Sequence, residues 1–143
     1  MVNAPFLARE RGIEVREIKT EREGDYHTLI RVSVKTSQGE RSVAGTLFGN
    51  GAPRLVELFG IKVEADLDGN MLYIANVDAP GFIGGVGGIL GEAKINIGTF
   101  HLGRREAGGE AILLLSVDEQ VPQTLVDKIC ALPNVHRVCP LKF

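Results

Sequence analysis

The sequence predicts an α+β chain of two small domains, a mixed or antiparallel sheet first and a βαββαβ unit second. Three features of its 143 residues predict this. Short segments alternating apolar and polar residues with a period of two fill much of residues 29–65. A glycine-rich stretch with helical spacing, 82–93, follows a strand-like run at 71–77. A second helical stretch, 122–132, lies between an apolar run at 111–117 and a last strand-like run at 135–141.

Asn3 is placed to cap a short helix over 3–11, and Gly12 stops it. Residues 13–19 alternate as a half-buried strand would, and 21–25 form a turn. In 29–35, Ile30, Val32 and Val34 take one side and Arg31, Ser33 and Lys35 the other. A hairpin turn at 37–40 leads into a returning strand at 41–48. A turn at 49–53 precedes two shorter strands, 55–58 and 61–65, around Gly60. The polar turn 66–70 divides the chain into domains of residues 1–68 and 69–143. Charge is balanced on both sides, so the change of pattern alone marks this division.

Beyond the turn, 71–77 is a strand. Asp78-Ala-Pro-Gly81 turns into a helix with Pro80 near its first position, and Phe82, Val86, Ile89, Leu90 and Ala93 recur at helical spacing. A strand at 96–102, a hairpin loop at 103–109 and the strand 111–117 come next. The last of these is apolar throughout, which puts it at the sheet's centre. The helix 122–132 presents Leu125, Ile129 and Leu132 to the core, and 135–141 closes the sheet. This order is the split βαβ, ferredoxin-like arrangement, with four antiparallel strands and two helices on one face. The other face needs a cover, which a partner subunit or the first domain would supply.

Composition narrows the function. A net charge of −2 without a run of one sign lacks the concentrated basic face that nucleic acid requires. No apolar stretch reaches the ~18 residues of a spanning helix, and the N-terminus has no signal-peptide core. The expectation is a cytoplasmic protein that binds neither nucleic acid nor membrane. Cys130 and Cys139 make no disulfide framework, match no zinc spacing and suit small core positions. The pattern places no carboxylate beside His27, His101 or His136, and no nucleophile motif occurs. No catalytic residue, metal or cofactor is expected in this chain.

The segment Asn76-Val-Asp-Ala-Pro-Gly-Phe82 carries the chemistry. A strand ends, Asp78 follows, and a helix begins at Pro80-Gly81. Free N–H groups and the positive dipole end of a helix favour a carboxylate. Gly81 lets a ligand approach the backbone, and Asp78 can hold an ammonium group. Donors for a carboxylate beside a carboxylate for an ammonium suit a free amino acid. On local sequence alone an Asp just before a helix is first of all a cap, and the two roles are compatible. Glycines 84, 85, 87, 88 and 91 each cost about 1 kcal/mol in a helix interior, which implies that a strand or a second subunit packs closely there. No Gly-Lys-Ser/Thr follows, so the run is not a P-loop.

The Asn-x-Asp-x-Pro-Gly start, the helix, Lys94-Ile-Asn-Ile-Gly98 and Leu113-Leu-Leu-Ser-Val-Asp118 resemble an ACT domain. Val43-Ala-Gly-Thr-Leu-Phe-Gly49 and Pro53-Arg-Leu-Val-Glu-Leu-Phe-Gly60 resemble the allosteric-substrate-binding domain of long-form D-3-phosphoglycerate dehydrogenases. Val2-Asn-Ala-Pro5 looks like the point where the catalytic domains of those enzymes pass to their regulatory tail, implying an excised piece or a stand-alone regulatory chain.

The resemblance implies feedback control of an NAD-dependent parent enzyme in L-serine biosynthesis. It implies L-serine, or a similar amino acid, bound between two ACT domains by Asn76, Asp78, Pro80, Gly81 and Asn96. Asp78 would take the ammonium, and Asn96 the carboxylate or hydroxyl. Asn76 departs from the aromatic residue or histidine that relatives often carry there. The resemblance also implies a homodimer through the ACT domains, a tetramer in the parent, and an anionic, phosphorylated ligand near Arg54 and Lys62. Asp66 stands where some relatives have another arginine. Two other classes compete. One is the beta part of an iron–sulfur L-serine dehydratase, whose Ser-Ser-His stretch is missing here. The other is a structural oligomerisation module that binds no ligand.

Overall fold

The computed structural model describes residues 3–18, 28–37, 39–49 and 51–143. Val2, Lys19, the turn expected at 21–25, His27, and Gln38 and Asn50 of two expected turns lie outside the described residues. Helix α1 spans Ala4–Glu10, with Asn3 at its N-cap and Gly12 in a left-handed conformation after it. The Asn3 side chain makes no capping bond, and α1 buries no residue.

Residues 13–18 form no strand, and Ile13, Val15 and Ile18 are exposed. Alternation is compatible with a strand, but a ladder needs a partner, and no strand of either sheet pairs with this segment. The first sheet runs β1 (Leu29–Thr36), β2 (Gly39–Leu47), β3 (Pro53–Leu58) and β4 (Ile61–Asp66), in that spatial order and antiparallel throughout. Gly39 turns the β1–β2 hairpin at φ +104°, which L side chains rarely adopt. β1 keeps its alternation but buries neither face: it lies at the edge of the sheet away from β4 and contributes no residue to either core.

The second sheet contains β5 (Asn70–Val77), β6 (Ile97–Arg104), β7 (Glu110–Val117) and β8 (Val135–Lys142) in the order β6-β7-β5-β8, again all antiparallel. Helices α2 (Phe82–Glu92) and α3 (Gln123–Cys130) pack on one face. The apolar strand 111–117 is central, as its composition requires. β6 runs two residues further than expected, through Arg104, which shortens the following loop. Cys130 is exposed rather than in the core. The buried face of α3 carries Leu125, Val126 and Ile129, and the next residue turns outward.

Successive side chains of β5 and β7 serve two cores. Leu72, Ile74, Leu113 and Leu115 pack under Val86, Leu90 and Ile129 of the helices. Met71, Ile112 and Leu114, one residue out of phase, pack against Leu55, Ile61, Val63 and Ala65 of the first sheet. The cover for the second sheet's open face is thus the first sheet. β4 packs closely on β6 at Gly103, where an added Cβ would lie 2.5 Å from the Lys62 carbonyl oxygen.

Candidate functional site

The end of β5 and the start of α2 are arranged around Asp78. Its Oδ2 accepts from Arg104 Nη1 at 2.6 Å and from the Gly108 backbone N–H at 3.3 Å. Its own N–H donates to the Gly109 carbonyl at 2.8 Å. The Arg104 hydrogen bond first, then the Gly108 amide, hold the Asp78 carboxyl below its ordinary range. Asp78 does not cap α2. The N-cap is Gly81, left-handed at φ +88°, and no side chain caps the helix. α2 therefore begins at Phe82, and Pro80 lies before the cap rather than within the first turn. Pro80 and Gly81 are exposed, and no side chain caps the first N–H groups of α2, of which that of Phe82 donates to the Ala79 carbonyl at 3.5 Å.

Asn76 lies beneath this turn. Its Nδ2 donates to the Val77 carbonyl at 2.9 Å, while its buried Oδ1 has no partner. Buried polar atoms are nearly always paired, so an orphaned acceptor marks a place for a further donor. Asn96 is elsewhere. It precedes β6, and its Nδ2 donates to Asp118 Oδ2 at 2.9 Å beyond the end of β7. Ile97 is level with Val117, whereas Arg104 is level with Ala111. Those two rungs are six β7 residues, roughly 20 Å, apart at ~3.3 Å per residue, and Asp78 and Asn96 lie beyond them at opposite ends of one sheet. One chain does not bring them together.

Arg54 and Lys62 do not converge either. Arg54 forms a forked pair with Asp66, at 2.9 and 3.3 Å, and its guanidinium stacks 4.7 Å above the Phe48 ring. Lys62 is level with Glu57, four residues along β4 from Asp66. His101 lies half-buried on β6 and His136 exposed on β8, at the two edges of the sheet.

Family comparison bears on the whole arrangement. The profile of D-3-phosphoglycerate dehydrogenase intervening domains matches residues 1–59, and that of ACT domains matches 71–134. The chain joins a D-3-phosphoglycerate dehydrogenase intervening domain to an ACT domain. Relatives described as D-3-phosphoglycerate dehydrogenase include proteins of Methanocaldococcus jannaschii, 36% identical over 143 residues, and Bacillus subtilis, 37% over 137. The alignments cover 100% and 96% of this chain but 27% and 26% of those relatives. A Synechocystis relative is 32% identical over 142 residues, 99% of this chain and 26% of its own length. The chain thus spans about a quarter of the length of these curated relatives.

Arg104, the partner of Asp78, is the residue that sequence reasoning passed over, because 103–109 reads simply as a polar hairpin loop. The available signal was its second arginine in a row, beside a strand end. Its pairing with Asp78 sets a pH dependence. A carboxyl depressed in the folded state contributes stability above its unfolded pKa of about 4. That contribution is lost as pH falls through the lower folded value. The urea midpoint of the native chain is therefore expected to drop between pH 6 and pH 3 by more than that of Asp78→Asn. Equal drops would mean that the pair contributes nothing.

Proposed function

We propose that this chain is the regulatory part of a D-3-phosphoglycerate dehydrogenase and binds L-serine where two copies of its ACT domain meet. On this reading residues 1–68 are the allosteric-substrate-binding domain and 69–143 the ACT domain. The whole enzyme, a cytoplasmic homo-oligomer such as a tetramer, would oxidise 3-phosphoglycerate with NAD. Serine, the end product of that route, would lower its rate. Linkage then requires serine to bind the inhibited arrangement more tightly, with a coupling of about 1–3 kcal/mol.

The division of the site between the two ends of one sheet carries this reading. β6 is an edge strand, and its unpaired backbone groups are a template for another strand. A two-fold axis pairing β6 antiparallel with its copy would bring Asn96 of the partner subunit to the Arg104 end, beside Asp78. Two whole sites would result in each dimer. The surface supports a partner here. Phe100 and Leu102 of β6 are 37% and 39% exposed. A Cβ added at Gly85 of α2 would meet Leu132, but one at Gly84, Gly87, Gly88 or Gly91 would meet nothing within 4 Å among the described residues.

In the assembled site Asp78 takes the ammonium in place of Arg104. The first amides of α2, with Asn96 of the partner subunit, take the carboxylate or hydroxyl, and Asn76 Oδ1 offers a further acceptor. Arg54, with Lys62 a lesser contributor, is proposed for a phosphorylated anion, which must displace Asp66 to reach the guanidinium.

A mixing experiment tests the divided site. Asp78→Ala and Asn96→Ala chains are each expected to bind no serine. Unfolded and refolded together in equal amounts, they should recover about a quarter of the native number of sites, because half the dimers are mixed and each mixed dimer has one intact site. No recovery from dimeric, folded material would remove the divided site. If the native dimer itself binds no serine, the structural-module reading takes its place.

A further inference from the structure

We infer that Arg105 is a positioning residue through which the Asp78 site acts on the intervening domain; with a ligand as the trigger, this rests on the proposed amino-acid site. Adjacent residues, the last of β6 and the first of the loop after it, grip two domains. Arg104 holds Asp78, and the same Asp78 carboxylate oxygen accepts from the Gly108 amide at the loop's far side. Arg105 reaches the other way. Its Nη2 donates to the Phe59 carbonyl at 2.7 Å, at the tip of the β3–β4 turn. Its Nε donates to Glu110 Oε2 at 3.1 Å, and its backbone N–H donates to the Glu110 carbonyl at 3.0 Å, so the guanidinium is anchored to the start of β7.

The turn that Arg105 grips is built to be held. Phe59 and Gly60 have φ of +53° and +78°, a conformation costly for a phenylalanine. Phe59 is fixed from several sides. Its N–H donates to the Ser42 carbonyl at 2.7 Å, its ring meets Tyr73 edge-on at 6.0 Å, and the Arg41 guanidinium lies 5.1 Å above it. At Gly60 an added Cβ would lie 3.5 Å from both Arg105 terminal nitrogens, so the guanidinium rests against bare backbone.

An ammonium group bound by Asp78 shares the carboxylate's negative charge with Arg104, which bonds its Oδ2, and so weakens that hold. Releasing Arg104 shifts the loop at the residue adjoining Arg105 and loosens the hold on the Phe59 carbonyl. By reciprocity, loosening that hold changes the affinity at Asp78. The path is two side chains and one peptide bond long, with no rearrangement of either core.

The test needs no ligand for its first arm. Hydrogen exchange at residues 59–61 is measured in the full chain for the native protein, Asp78→Asn, Arg105→Ala and the double variant. Asp78→Asn weakens Arg104's hold at the start of the loop and is expected to speed exchange at 59–61 by roughly fivefold, the scale of one hydrogen bond. In the Arg105→Ala background, the same substitution is expected to change exchange by less than about twofold. Arg105→Lys, which retains one donor for the Phe59 carbonyl, should restore part of the response. A purely structural role would make the two effects additive, and additivity overturns the inference, as does an unchanged rate in Asp78→Asn. A second arm repeats the native and Arg105→Ala measurements with L-serine. Serine should still bind Arg105→Ala by calorimetry but no longer alter exchange at 59–61; an alteration that persists overturns the inference. Absence of serine binding to the native chain would count against the proposed site while leaving the first arm to decide the coupling.

Discussion

L-Serine titrated into Asp78→Ala is expected to give no saturable heat at concentrations that saturate the native chain. The carboxylate is the group at the α2 N-terminus able to take an ammonium ion, since the neighbouring donors there are backbone amides and Arg104. A hydrogen bond to a charged group is worth about 1.5–3 kcal/mol, so its loss raises Kd by roughly 10- to 150-fold. Leaving Arg104 without its partner adds positive charge beside the ligand's ammonium and pushes in the same direction. The native chain already satisfies Asp78 internally, so the ligand must outcompete an exposed ion pair. Exposed pairs are weak, because water screens them, and a ligand making several contacts at once exceeds them. Circular dichroism and sedimentation of the variant separate lost binding from lost folding. Unimpaired binding by a folded Asp78→Ala would remove this carboxylate from the site.

Gly103→Ala is expected to lower the urea midpoint more than its size suggests, by about 1–3 kcal/mol of stability. The new methyl would sit 2.5 Å from the Lys62 carbonyl oxygen and 2.8 Å from Ile61 Cγ2. The first of these contacts is backbone, so β4 must move as a unit. Moving it pulls Ile61, Val63 and Ala65 away from Ile112 and Leu114, opening the core shared by the two sheets. Gly88→Ala makes an informative contrast. It meets open space in the chain and replaces a helical glycine, so by propensity alone it gains up to about 1 kcal/mol. Equal effects of the two substitutions would mean that the β4–β6 approach carries no strain.

The order β5-α2-β6-β7-α3-β8 was legible because its signals are local: a change of period, a turn at Asp78 to Gly81, and a run of apolar residues with no polar side. The expected strand at 13–19 failed for the complementary reason. Period reports a preference for extended backbone, and only a partner strand turns that preference into a ladder. Asp78 was legible as a carboxylate in the right place, but its partner was not. Arg104 lies 26 residues away, and only the antiparallel register of β5, β7 and β6 sets it beside Asp78.

By itself the sequence determined the elements of the second sheet and its two helices, the two-domain order and the residue types that suit an amino-acid ligand, because propensity, period and turn chemistry act over a few residues. The tertiary structure alone decided which surface covers the open face of the ACT sheet. It also decided that Asp78 is held by an arginine instead of capping a helix, and that Asp78 and Asn96 stand apart. Each of these depends on which distant segments pack together, and side-chain chemistry read along one chain does not contain that distance.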